Sequence, residues 1–242
     1  MYWKEHNMKA SLIMDIGNRY LQQDAALFDG KVYSSDRIFT TKELSKLSIM
    51  AVADGIGSLQ NSKSASVYIC NAFNQYKTFN LISDGAIFTT IIDSSSYIYN
   101  NMPNAGTTFS LIAIDGNILH YISIGDSFLT LCSSENVYVI EDGNIENIAT
   151  SKTLRNMVSN HFISDYIGKI NLSEKNFYIS TIDLSAYNFH RAILATDGFY
   201  KSLYDEHNLK FIFPHDAEHD EILIELKIAD AEDNYTAIII DF

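Results

Sequence analysis

The chain has 242 residues, 47% hydrophobic and 19% charged, with a formal net charge of -13. Such a composition, with its many Tyr and Phe, belongs to an ordered globular protein rather than a disordered one. The acidic surplus disfavours nucleic acid and anionic membranes as partners, because both require clustered Lys and Arg.

Cys70 and Cys132 are too few and too isolated for a disulfide framework or a zinc site, so core thiols in a reducing cytoplasm are expected. Met1 to Ser11 carries Lys4, Glu5, His6 and Lys9 with no apolar core, which does not fit a secretory signal. Every apolar run is strand-sized, well short of the roughly 20 residues that a membrane helix needs.

In chain order, Ser11 to Gly17 reads as a short strand and Ala25 to Phe28 as a second, closed by the turn Asp29-Gly30. Lys31 to Lys46 is polar and mixed, and reads as a loop. Ser48 to Ala53 is a strand leading into Asp54. From Ser62 to Phe79 the apolar positions Ala65, Ile69, Ala72, Phe73 and Tyr76 fall at helical spacing. A second helix runs from Asp84, a candidate N-cap, to Asn100.

Thr107 to Ile114 and Ile118 to Ile124 form a hairpin about Asp115-Gly116-Asn117, and Phe128 to Cys132 with Val137 to Ile140 extend the meander. Ser151 to Phe162 returns to helical spacing, with His161 on a helix face. Asn176 to Thr181 and Arg191 to Thr196 read as strands, Asp220 to Ala229 as a helix, and Tyr235 to Phe242 as the last strand. No repeat or linker interrupts the pattern, so residues 1–242 are expected to form a single domain. Strands and helices are segregated without regular βαβ alternation. This favours an α+β layered fold with mostly antiparallel sheets and outer helices.

Several apolar runs end in an acid. Met50 to Ala53 stops at Asp54-Gly55-Ile56-Gly57, Arg191 to Thr196 stops at Asp197-Gly198, and Asp233-Asn234 stands directly before the final strand. Gly125-Asp126-Ser127 lies between two strands. Each alone reads as turn chemistry, with the structural reading ahead for Asp24 and Asp126. Jointly they read as carboxylates placed on rigid scaffold for hard cations, which prefer oxygen ligands.

The ordered set Arg19 with Asp24-Ala25, Val52-Ala53-Asp54-Gly55-Ile56-Gly57, Ala105-Gly106-Thr107-Thr108, Ile124-Gly125-Asp126-Ser127, Leu194-Ala195-Thr196-Asp197-Gly198 and Glu232-Asp233-Asn234-Tyr235-Thr236 resembles the metal-dependent type-2C serine/threonine protein phosphatases, also called the PPM family, in their bacterial form. The resemblance implies a four-layer α-β-β-α sandwich, in which two antiparallel sheets are flanked by helices and a metal cleft lies at one edge. It implies two Mg or Mn ions and a weaker third. Asp54 would bridge, with the Gly55 carbonyl, Asp197 and Asp233 as further ligands, Asp126 toward the third ion, Asp24 in support and Arg19 gripping phosphate. Gly106-Thr107-Thr108 reads as structural.

This sequence departs from relatives at Gln23, where some carry Glu, at Ile56, where some carry a His proposed as leaving-group acid, and at Phe128, where many carry Arg. The compact stretch Ile140 to Ile167 suggests a reduced substrate flap. The implied activity is hydrolysis of phosphoserine and phosphothreonine, with a phosphorylated protein as substrate and a cognate Ser/Thr kinase as partner. A catalytically silent domain of this fold that binds a phosphoprotein or regulator, and an unrelated acidic metal-binding module, stay open as alternatives.

Overall fold

Alternation along single strands decides how the layers stack. In β5 (Leu47–Ala53), Met50 and Val52 point to one side and Ala51 and Ala53 to the other, and all four are fully buried. A strand buried on both faces must be continuously apolar, which is why the run stops only at Asp54. The structure is a computed structural model and describes residues 8–45, 47–76, 84–134, 136–141, 144–147, 163, 165–202, 221 and 231–242.

The strands in chain order are β1 (Met8–Asp15), β2 (Ala25–Phe28), β3 (Lys31–Tyr33), β4 (Arg37–Leu44), β5, β6 (Phe109–Asp115), β7 (Ile118–Ile124), β8 (Phe128–Cys132), β9 (Val137–Glu141), β10 (Asn144–Asn147), β11 (Ile179–Asp183), β12 (Arg191–Ala195) and β13 (Tyr235–Asp241). They build a seven-stranded sheet in the order β10-β9-β8-β12-β13-β1-β4 and a six-stranded sheet in the order β11-β7-β6-β5-β2-β3. Every pairing between these strands is antiparallel. Helices α1 (Ser62–Asn74) and α2 (Asp84–Asn101) cover the six-stranded sheet, and the short α3 (Asp197–Ser202) follows β12.

Two cores result. Between the sheets, Leu12, Met14, Leu194, Ile238 and Ile240 meet Met50, Val52, Ile112 and Ile114. Beneath the helices, Ile69 and Phe73 of α1 and Ile87, Ile91 and Ile98 of α2 rest on Ala51, Ala53, Leu111 and Ala113. The small alanines let the helices approach closely. Each fully buried aliphatic or Phe side chain contributes roughly 1.5–3 kcal/mol. Cys70 and Cys132 are both buried free thiols, and their environment pushes the two thiols far up from the ordinary value by desolvation.

The α+β sandwich therefore stands as expected, with corrections. Lys31 to Lys46 contains β3 and β4 rather than a loop. Both strands lie at sheet edges, where one side faces solvent, so their sequences lack an apolar run. β8 does not extend the meander of β6 and β7. It pairs with β12 and β9 in the other sheet, and the crossing occurs at Gly125, whose φ of 101 is a conformation favouring glycine. Asn176 ends a 3-10 turn in which Ser173 and Asn176 cap each other, so the strand expected from Asn176 begins only at Ile179. β10, with a single apolar residue in Asn144–Asn147, carries no strand signal in its sequence. The helices expected over Ser151 to Phe162, with His161, and over Asp220 to Ala229 lie outside the described residues. So do the end of the first helix beyond Tyr76, the Asp84 side chain and most of the Ile140 to Ile167 stretch. Among the described residues, no helix is long and apolar enough to cross a membrane.

Candidate functional site

The ends of β5, β12 and β13 and the β7–β8 crossing converge at one edge of the sandwich. There Asp54, Asp126 and Asp197 bring carboxylate oxygens within 4.8 Å of one another. Asp24, at the entrance to β2, is fully buried beside them.

Asp54 is held by the segment before β6. Its backbone N–H donates to Thr108 Oγ1 at 3.0 Å, and its carbonyl accepts from the Thr108 N–H at 2.8 Å and the Thr107 hydroxyl at 2.9 Å. Gly106-Thr107-Thr108 is thus structural, as expected. The Thr108 hydroxyl lies 2.8 Å from the Ser127 hydroxyl, which ties the Asp54 turn to Gly125-Asp126-Ser127. At the start of α1, Ser62 Oγ donates to the Ile56 carbonyl at 2.7 Å and Ser66 Oγ to the Gln23 carbonyl at 2.6 Å. A Cβ on Gly55 would lie 2.7 Å from that same Gln23 oxygen, so only glycine fits between the Asp54 turn and the segment bearing Asp24.

Asp24 Oδ2 accepts from the Thr236 hydroxyl at 2.7 Å and the Thr196 hydroxyl at 3.2 Å. These threonines adjoin Asp197 and follow Asp233-Asn234, so Asp24 clasps together the two strand ends that present the other acids. The Asn234 side chain accepts from the Gln23 N–H at 2.9 Å and donates to the Ile16 carbonyl at 2.8 Å. Gly198 packs against the Asn234 backbone with no room for a Cβ.

Asp233 stands apart from the tight trio and accepts from Arg19 Nη2 at 2.8 Å. Arg19 therefore pairs with neither Asp15 nor Asp24, and Asp15 instead accepts from Arg37. The Asp233 contact holds the Arg19 guanidinium above its ordinary value.

The electrostatics are those of crowded acids. Desolvation, then the charge of Asp197, pushes Asp24 and Asp126 up to about 7. Desolvation, then Asp24, Asp197, Asp126 and Asp233, pushes Asp54 well above the usual carboxylate range. Asp24 Oδ1 and Asp126 Oδ1 are buried with no hydrogen-bond partner among the described residues. Buried carboxylate oxygens with no donor, gathered with other acids, suit a hard divalent cation such as Mg or Mn and no soft metal.

Lys201 was not anticipated. One helical turn after Asp197 in α3, its Nζ donates to Asp197 Oδ2. The signal was the Asp-to-Lys spacing of four, visible only once Asp197 is known to begin a helix rather than a turn. Burial works against the Lys201 charge, but the Asp197 contact prevails and raises its pKa.

The departures also have locations. Gln23 donates from Nε2 to the Leu59 carbonyl at 3.4 Å, and its Oε1, like Arg19 Nη1, flanks Gly57. The Ile56 side chain and the Tyr166 ring both crowd Gly106. Phe128 is buried and stacks on Tyr200 with ring centroids 4.0 Å apart.

The protein phosphatase 2C family model matches residues 31–223. No curated protein sequence matches the chain. Among solved structures, the serine/threonine phosphatase Stp1 from Staphylococcus aureus superposes with a TM-score of 0.71 at 15% identity, over 100% of this chain and 99% of that one. PppA, described as a key regulatory component of T6SS in Pseudomonas aeruginosa, gives 0.69 at 16% identity over 98% of each chain. The catalytic domain of the serine threonine protein phosphatase PstP, in complex with 2 manganese ions, gives 0.62 at 20% identity over 97% of this chain and 98% of that one.

Proposed function

The chain belongs to the protein phosphatase 2C family and is a phosphoprotein phosphatase, and we propose that it hydrolyses phosphoserine and phosphothreonine monoesters on protein substrates with the help of Mn or Mg held in the carboxylate cleft. The observation that carries the reading is the convergence of Asp54, Asp126 and Asp197 carboxylate oxygens within 4.8 Å, together with an Asp126 oxygen that has no hydrogen-bond partner among the described residues. The manganese reported with PstP supports the choice of ion. In this reading residues 1–242 act as one catalytic domain.

Asp54, the Gly55 carbonyl, Asp197 and Asp233 would hold two ions, with Asp126 toward a weaker third. When bound, such ions supply Lewis acidity and charge neutralisation for the attack of water on phosphorus. The chain's own residues do the rest. Asp24, locked by Thr196 and Thr236, keeps the strand ends that carry Asp197 and Asp233 in register. Arg19 is half exposed at the rim and presents a planar fork to two phosphate oxygens, stabilising charge that develops as the ester bond to the Ser or Thr oxygen breaks. Ile56 has no proton to give, so the leaving alkoxide takes its proton from solvent or from another side chain.

The test is phosphate release from a phosphothreonine peptide by the purified chain. Turnover is expected with millimolar manganese and none with EDTA. Folded, manganese-saturated protein that turns over neither several phosphopeptides nor p-nitrophenyl phosphate would establish the silent binding domain instead.

A further inference from the structure

Acidic clefts are ordinarily balanced only by what binds in them, yet this one already contains a cation supplied by the chain. Lys201 reaches back one turn of α3 and places its ammonium on Asp197 Oδ2. Asp197 also belongs to the trio with Asp54 and Asp126. The ammonium feels Asp126 and Asp233 as well, so its field covers the cleft rather than one carboxylate. With its side chain 42% exposed, Lys201 has an open route to solvent.

We propose that the Lys201 ammonium is a tethered competitor for the carboxylate cleft, which a divalent cation must displace from Asp197 before that carboxylate can serve as its ligand. The inference rests on the metal-dependent reading given above, and concerns how tightly and in what order the cleft fills. A carboxylate oxygen donating electron density to an ammonium is a poorer ligand for a hard dication, and a fixed positive charge a few ångströms away raises the cost of bringing another. An ion resting mainly on Asp54 and the Gly55 carbonyl is penalised less than one that needs Asp197. The two positions should therefore fill in sequence, with the Asp197 position last. In the metal-free protein the same ammonium relieves the repulsion among Asp54, Asp126, Asp197 and Asp233. One side chain thus stabilises the empty cleft and weakens the filled one.

These opposite effects separate the proposal from a mere packing role. The experiment is calorimetric titration of the metal-stripped full chain with manganese chloride, alongside thermal melts without metal. It compares the parent with Lys201→Met, which keeps the aliphatic stem, Lys201→Gln as a second neutral variant, and Lys201→Arg. Both neutral variants should bind manganese about tenfold tighter, the effect of removing one partly solvated charge beside the site, while melting at lower temperature without metal. Lys201→Arg keeps the charge and should stay within about twofold of the parent.

Unchanged or weaker manganese affinity in the neutral variants overturns the proposal, as does the absence of manganese binding in every form including the parent. Phosphopeptide turnover by the parent distinguishes the two readings. Tighter binding in the neutral variants with no turnover by the parent sinks the phosphatase reading and leaves the competitor. Metal-dependent turnover with equal affinities sinks only the competitor.

Discussion

β12 and β13 carry charge at both of their ends, and the two ends treat it in opposite ways. At the far end, Arg191 is 1% exposed and forks onto Asp241, with Nε at 2.6 Å and Nη2 at 3.2 Å from the two carboxylate oxygens. That charge is matched within the chain. At the near end, Asp197 follows β12 and Asp233 precedes β13, and with Asp24, Asp54 and Asp126 they face, among the described residues, the two cations Arg19 and Lys201. The same pair of strands thus ends once in a closed ion pair and once in a cleft where carboxylates outnumber the cations that face them. The difference separates an end whose charges are matched from one whose acids outnumber their partners. The burial of a charge does not mark a site, whereas an excess of like charges over their internal partners does.

The largest effect expected from breaking this contrast is at Asp54. Asp54→Asn removes a negative charge from the centre of the cleft at nearly constant volume. Turnover should fall on the order of 10³-fold or more, as losing a shared ligand demands. The variant should still fold, melt slightly higher than the parent without metal, and gain much less from manganese. Melting curves with and without manganese check this, and a variant that keeps both turnover and full metal stabilisation removes Asp54 from the site.

At the closed end the damage should be to stability alone. Arg191→Ala strands Asp241 and empties the space of a buried side chain, at a cost of about 3 kcal/mol. Urea unfolding should show that loss, while the manganese affinity of the folded protein stays at the parental value. A parallel loss of manganese affinity would mean that the two ends are coupled along the strands.

Arg19→Ala comes next. Loss of a charge-assisted contact to phosphate should lower kcat/KM for a phosphopeptide by ~10- to 1000-fold. The effect on metal affinity should be smaller than that of the neutral Lys201 variants, since Arg19 sits half exposed on Asp233, outside the trio of Asp54, Asp126 and Asp197. Equal losses of metal binding and turnover would instead make Arg19 an organiser of the carboxylates.

The smallest effect is a pH dependence of the metal-free protein. Asp24 and Asp126 are held at about 7 in the folded state, against an ordinary value of 3.8. The folded chain therefore keeps protons that the unfolded chain has released. The stability this contributes is fully present below the ordinary carboxylate value and is lost as pH rises through about 7. Metal-free protein should melt several degrees lower at pH 8 than at pH 5, and saturating manganese should reverse the trend. A metal-free melting temperature that rises across that range would sink the account of crowded acids.

The sequence by itself determined the layered class and most of the candidate site. Strands buried on both faces leave long apolar runs, and an acid that ends such a run stands out whatever surrounds it. Asp54 and Asp197 were legible for that reason, and Gly106-Thr107-Thr108 was legible as support because a close backbone approach demands small residues. The edge strands β3 and β4 were not legible, since a strand half open to solvent needs no apolar pattern. Nor was the jump of β8 to the other sheet, because a hairpin and a crossing both need only a glycine and a short turn. The tertiary structure alone decided which charges meet. It set Arg19 on Asp233 and Lys201 on Asp197, and closed Arg191 onto Asp241 at the other end of the same strands. Local sequence records which groups are charged, but a Coulomb interaction depends on distances that only the packed sheets define.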